Sequence, residues 1–233
     1  MTTKIKSTSL EDNAVTTAKI ATDAVTAAKI PANAVGSSEL DLTASYTFTG
    51  TVSGAGGLTK VSSGDAGTII ASSPLEIALP TSGYGKFHLI FYGYYLSGSP
   101  NKFTALRFRT SGGSVRSGGG DYEYNRNTRI EGSAWSGDNG TSNEIIIDYN
   151  GAGNAAAEAT TTEFEIYNNH LSDVNTSVIS KSMGFSDNAN HLLQYNGGIV
   201  NTAEVNDLVQ IFNHGGGSET ITHKGYILYG WNN

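Results

Sequence analysis

Between residues 10 and 40 a branched apolar side chain falls at every fifth position: Leu10, Val15, Ile20, Val25, Ile30, Val35 and Leu40. Few patterns exclude so much. On an α-helix a step of five turns each apolar position by about 140°, so no stripe forms along one side. On a strand an odd step sends successive positions to opposite faces. A coiled coil needs a mean spacing of about 3.5, which is absent. The chain direction must therefore be reset inside each unit, and the units read STSLEDNAVT (7–16), TAKIATDAVT (17–26), AAKIPANAVG (27–36) and SSELDLTASY (37–46). Asn13, Asp23 and Asn33 stand two residues before each Val and suit a turn or a helix N-cap, while Pro31 and Gly36 forbid one continuous helix. Short helical turns joined by extended pieces are expected. A ten-residue unit is too small to bury its own Val and Ile, so the ladder must pack on neighbouring units or other chains.

The charge follows a different division. Residues 1–40 carry four Lys and four Asp/Glu, so the net charge of −7 belongs to the remaining ten Lys/Arg and seventeen Asp/Glu. A phosphate-binding surface needs the opposite sign, so nucleic acid is not an expected partner. No apolar run approaches the roughly twenty residues of a membrane span, and Met1–Lys6 lack a signal peptide's apolar core, so neither membrane insertion nor signal-directed secretion is expected. The chain has no Cys, which removes disulfides, thiolate metal sites and a cysteine nucleophile, and fits assembly in a reducing cytoplasm.

The repeats resemble the N-terminal segments of tailed-bacteriophage virion proteins, chiefly fibres and fibre-like appendages. The likeness rests on the A-V-T-T-A-K-I repeats over residues 10–40, each led by Asn or Asp, and the third copy departs from them with Val35-Gly36-Ser37-Ser38. It implies an anchor that attaches to the particle and threads through a homotrimer, with the seven ladder residues as the assembly contacts.

From Tyr46 the pattern becomes one of short strands between Gly, Asn and Ser turns, with 29 Gly and 12 Tyr in the chain. SYTFTGTV (45–52) alternates, and SGAGGL (53–58) reads as a flexible join. Strands are then expected at 67–71, 75–80, 86–96, 103–110, 120–126, 143–149, 162–168, 177–185, 190–196, 206–213 and 224–231. That number of short strands points to an all-β antiparallel sandwich of jelly-roll type. The expected organisation is a repeat-containing anchoring and trimerisation segment over 1–45, a β connection over 46–60 and the sandwich over 61–233. FTALRFRTSGGSVRSGGGDYEY (103–124) and the closing NDLVQIFNHGGGSETITHKGYILYGWNN (206–233) are similar to the C-terminal β-domain of marine and cyanophage structural proteins. That resemblance implies a jelly-roll-like domain on a phage particle.

No chemistry is expected. Asp121 with Glu123, and Glu163 with Glu165, are spaced two apart, as a glycosidase acid pair or as alternate solvent-facing positions of a strand. Without a cleft to raise one pKa the second reading holds, and no catalytic residue is assigned. DNGTSNE (138–144) is rich in oxygen but lacks the ligand alternation of a calcium loop, and the His residues at 88, 170, 191, 214 and 223 are not paired at i+2 or i+4. Metal and cofactor are therefore both expected to be none. Tyr122, Tyr124 and Trp135 are the candidate contacts for a host surface glycan, since an aromatic ring with a polar tip suits a sugar as well as a subunit interface.

The expectation is a virion protein with three kinds of partner: its own copies in a homotrimer, other virion proteins of capsid or tail, and a host glycan. As a short fibre of head or tail it would display the sandwich for host attachment. The alternatives are a capsid decoration protein that stabilises the head, a tailspike glycan depolymerase and a secreted lectin.

Overall fold

The computed structural model describes residues 58–97, 103–148, 152–186, 190–214 and 219–232. The ladder from Leu10 to Leu40, the expected strand 45–52 and most of the connection over 46–60 lie outside the described residues. Among the described residues fourteen strands follow in chain order. They are β1 (Leu58–Gly64), β2 (Gly67–Ile69), β3 (Leu75–Ala78), β4 (Tyr84–Ser97), β5 (Phe103–Thr110), β6 (Tyr122–Ile130) and β7 (Ser136–Ser142). Then come β8 (Ile145–Ile146), β9 (Thr160–Tyr167), β10 (Ser177–Phe185), β11 (His191–Val200), β12 (Asn206–His214), β13 (Thr220–His223) and β14 (Gly225–Asn232). A single 3-10 turn, Ala156–Glu158, is the helical piece among the described residues.

The strands form two antiparallel sheets, and the domain is an all-β sandwich. One runs β1-β14-β4-β9-β10-β11-β6-β7, with β13 and β2 added beside β4; the other runs β3-β12-β5-β8. Setting aside β2, β13 and the hairpins β6–β7 and β10–β11, eight strands remain. First pairs with last (β1·β14), second with seventh (β3·β12), third with sixth (β4·β9) and fourth with fifth (β5·β8). That is an antiparallel ribbon wound over itself, the winding of a jelly roll. The two hairpins extend the first sheet beyond β9 as a four-stranded wing.

Period-two alternation places the core. Phe87, Leu89 and Phe91 of β4, Phe164 and Ile166 of β9, and Leu228 of β14 face Ile77, Leu106, Phe108, Val209 and Ile211 of the second sheet, all buried. The wing's inner face is more polar. Ser180, Ser182, Gln194 and Asn196 are buried against the 145–148 segment, where Ser182 and Asn196 donate to the Ile147 carbonyl at 2.7 and 3.4 Å.

Strand β1 corrects the expected organisation: Leu58 to Gly64 pair along β14, so the sandwich reaches back at least to Leu58 and a boundary at 60/61 cuts a strand. Contact between β1 and β14 is tight at Gly225, whose φ is +150° and where a Cβ would stand 2.6 Å from the Gly64 carbonyl oxygen. Replacing Gly225 with Ala should cost about 2 kcal/mol, from backbone strain plus overpacking. Denaturant midpoints measure this loss, and an unchanged midpoint would show that the two strands can part there without penalty.

Candidate functional site on the outer face of the ten-stranded sheet

The outer face of the large sheet is assembled by register. Leu58 lies beside Trp231, Trp231 beside Lys86 and Lys86 beside Tyr167. The same row continues through Ser177, Ile199, Glu123 and Thr141. Paired residues of an antiparallel sheet point the same way, so every row is one line of neighbours on one face. The next row carries Tyr229, His88, Glu165, Ile179, Gly197, Asn125 and Asn139.

Large apolar side chains collect here. Leu58, Ile179, Met183, Tyr195, Ile199 and Trp231 are each more than 40 % exposed on this face. Trp135 leans on it, with its ring 5.9 Å from that of Tyr195. Among the described residues none of the large exposed apolar side chains comes from β3-β12-β5-β8. That opposite surface is ionic instead: Arg109 reaches Asp207 at 2.8 Å, Arg107 reaches Glu144 at 2.8 Å, and Gln210 donates to Glu76 at 3.2 Å.

Two apolar patches can be told apart on the large face. One is Leu58 with Trp231 at the β1–β14 end; the other is Ile179, Met183, Tyr195 and Ile199 on the wing. Between them runs a charged belt. Lys86 Nζ is 3.6 Å from Glu165 and lies 5.0 Å from the Trp231 ring and 5.4 Å from that of Tyr167. Lys181 sits opposite Glu163. The Tyr167 hydroxyl donates to Glu165, and with Lys86 it holds that carboxyl below the usual range. A catalytic acid would need a raised pKa, the reverse of what Glu165 shows. Asp121 is turned away from Glu123: its carboxylate accepts the Gly118 N–H at 2.6 Å and stands 3.9 Å from Arg116.

On the wing the missing side chain of Gly197 opens a groove of about 640 Å³, bordered by Ile179, Ile199, Glu123, Asn125, Asn139 and Thr141. Its floor is backbone and aliphatic side chain, and its rim is amide, hydroxyl and carboxylate.

The three aromatics proposed for sugar contact do not meet. Tyr122 is a correction: it is fully buried, and its hydroxyl accepts the Phe108 N–H at 2.8 Å, tying β6 of the wing to β5. Burial pushes its pKa up to about 12. Alternation sends Tyr124 to the inner side of the wing with Tyr122, where its hydroxyl donates to Asp138 at 3.3 Å. Trp135 alone of the three reaches the outer face, and its neighbour there is Tyr195. Alternation along 191–200 was the available signal for Tyr195, with Leu193, Tyr195, Gly197 and Ile199 on one side. Most of DNGTSNE is strand: Ser136–Ser142 form edge strand β7, and Glu144 is engaged by Arg107 and His214. Among the described residues no cluster of three potential ligands forms, and no helix is long and apolar enough to cross a membrane.

Compared with known proteins, the chain matches no protein-family model and no curated protein sequence.

Proposed function

We propose that this chain is a structural virion protein of a tailed phage. It is a homotrimeric short fibre of head or tail, anchored through its N-terminal repeats and presenting the β-sandwich outward for attachment to a host surface glycan. The observation that carries the reading is the unbroken five-step ladder from Leu10 to Leu40. A solvated linker has no reason to keep that spacing, whereas an anchor laid against other subunits does. Three such anchors on one trimer raise one another's effective concentration, which makes release rare without any single contact being strong. The reading is of a binding and assembly protein, supported by Glu165 and Asp121 each lying beside a cation, Lys86 and Arg116.

The second reading, a capsid decoration protein, draws on the sequence's lack of any long shaft between ladder and sandwich. Copy number separates the two: a tail fibre occurs in small multiples of three, a decoration protein in hundreds.

The anchor is tested by replacing Ile20 and Ile30 together with Asp. The double variant should fold its β-domain normally and be absent from purified particles, because carboxylates cannot occupy apolar contacts without partners. Particles that retain it at wild-type copy number would refute the anchor.

A further inference from the structure

We infer that neighbouring copies of this chain pack through the outer face of the ten-stranded sheet, the Leu58–Trp231 patch of one copy meeting the wing groove of the next. The inference rests on the homotrimer reading and deepens it by saying which surface the copies share.

Three observations converge on that face. Area comes first: eight hydrogen-bonded strands lie side by side across it. At ordinary strand spacing and rise the face covers on the order of 800 Å²; a ring shares it between two neighbours, so each copy gives up one standard contribution of roughly 800 Å² in its two contacts together. Charge comes second. Burial strands a charge only where it lacks a partner, and in the belt between the patches Lys86 stands 3.6 Å from Glu165 while Lys181 is in register with Glu163 across β9 and β10. Geometry comes third. The two patches differ and lie apart on one face, so each copy offers both halves of a contact between unlike patches, and a copy that uses them on two neighbours builds a ring when the rotation closes.

The groove favours a protein side chain over a sugar. Its base is Gly197 backbone flanked by Ile179 and Ile199 rather than an aromatic plane. The Trp135–Tyr195 pair lies one row away, and Trp231 with Leu58 supplies an aromatic and aliphatic pair of a size to enter such a groove. The asymmetry of the sandwich agrees: large exposed apolar side chains crowd this face, while the opposite sheet surface is occupied by arginine ion pairs.

The chain contains no Cys, so single-cysteine variants of the full-length protein report accessibility cleanly. Ile179→Cys and Ile199→Cys probe the wing groove, Trp231→Cys the other patch, and Glu76→Cys is the exposed control on the opposite sheet. In the assembled protein, maleimide should modify the I179C, I199C and W231C thiols at least tenfold more slowly than E76C. Dilution into monomers should remove the difference. An I179D/I199D double variant, with its circular dichroism unchanged, should lose multimer mass in analytical ultracentrifugation. If the multimer persists while I179C reacts as fast as E76C, the copies join elsewhere, through the ladder, and this inference falls while the homotrimer stands. A chain that is monomeric at every concentration would defeat both. Protection of I179C in a monomer by an added host polysaccharide would assign the groove to a glycan and overturn the inference.

Discussion

Replacing Glu144 with Ala should destabilise the domain by about 3 kcal/mol, which for a domain of this size lowers the melting temperature by roughly 10 °C. Glu144 is 1 % exposed and sits at the bend between β7 and β8. One carboxylate oxygen accepts Arg107 Nη2 at 2.8 Å and the other faces His214 Nδ1. Arg107 is further held by the Asn143 carbonyl at 3.0 Å, and its guanidinium lies 4.4 Å from the Phe212 ring. Burial pulls the Arg107 pKa down, a sign that the site tolerates the cation only with compensation. Removing Glu144 leaves a positive charge packed against an aromatic ring with one neutral carbonyl to answer it. The loss measures the stranded charge rather than the attraction, so replacing both partners, as Arg107→Met with Glu144→Leu, should recover most of it. A Glu144→Ala protein that melts within 2 °C of wild type would mean water reaches the site and screens Arg107.

That ion pair marks where the sequence ceases to be readable. Strands whose alternation buries something were legible: all eleven expected from 67 onward coincide with strands, and 103–110 and 177–185 match residue for residue. The three missed have little to bury. Strand β7 is exposed along most of its length, SGDNGTS pairing with β6 on one side only, so no periodicity marks it. Strand β1 is a second edge, mostly exposed, and its register slips between Lys60 and Ser62. Strand β13 has four residues. In 143–149 the apolar run Ile145–Ile147 was visible, but only two of its residues pair as a strand. The acids flanking that run are buried because of partners 37 and 44 positions away in β5, Arg107 and Thr104, and no local pattern reports such distances.

The candidate site divides on the same principle. Alternation assigns each side chain of a strand to a face, and this was enough to foresee that Tyr122 and Tyr124 share one. It cannot say which face is covered by a second sheet, and Tyr122 falls on the covered one because β5 and β8 reach under the wing. The same geometry leaves Ile179, Ile199 and Tyr195 outside. Sequence pattern alone would have assigned them to a core.

Asp148→Asn should flatten the dependence of stability on pH and raise stability above pH 8 by several kcal/mol. Asp148 is completely buried, and burial drives its pKa from the ordinary 3.8 up to about 8. One oxygen accepts the Thr104 N–H, and the Tyr94 hydroxyl lies beside the carboxyl. The donor order of the hydroxyl chain that ends at Tyr94 suits the protonated acid. Ser182 donates its one proton to the Ile147 carbonyl at 2.7 Å, so Thr162 must donate to Ser182 and Tyr94 to Thr162, each at 2.8 Å. The Tyr94 oxygen is thereby left to accept, and a neutral Asp148 carboxyl supplies the proton. The sign follows from linkage. Between the unfolded value of 3.8 and the folded value of about 8 the native state binds the extra proton, so stability is full at low pH and falls as pH rises through that window. The gap sets a ceiling on the order of 5 kcal/mol, which relaxation of the site will reduce. His223 works in the opposite sense: burial lowers its pKa from 6.5, so its destabilising effect is confined to acid pH. Comparison at pH 7 to 9 therefore isolates Asp148. Asparagine keeps the oxygen for Thr104 and offers an N–H to Tyr94, so the variant should match wild type near pH 4 and exceed it increasingly toward pH 9. Denaturant titrations at fixed pH provide the measurement. Parallel stability curves for the two proteins across that range would show that Asp148 is ionised in the native state and that the hydroxyl chain runs the other way.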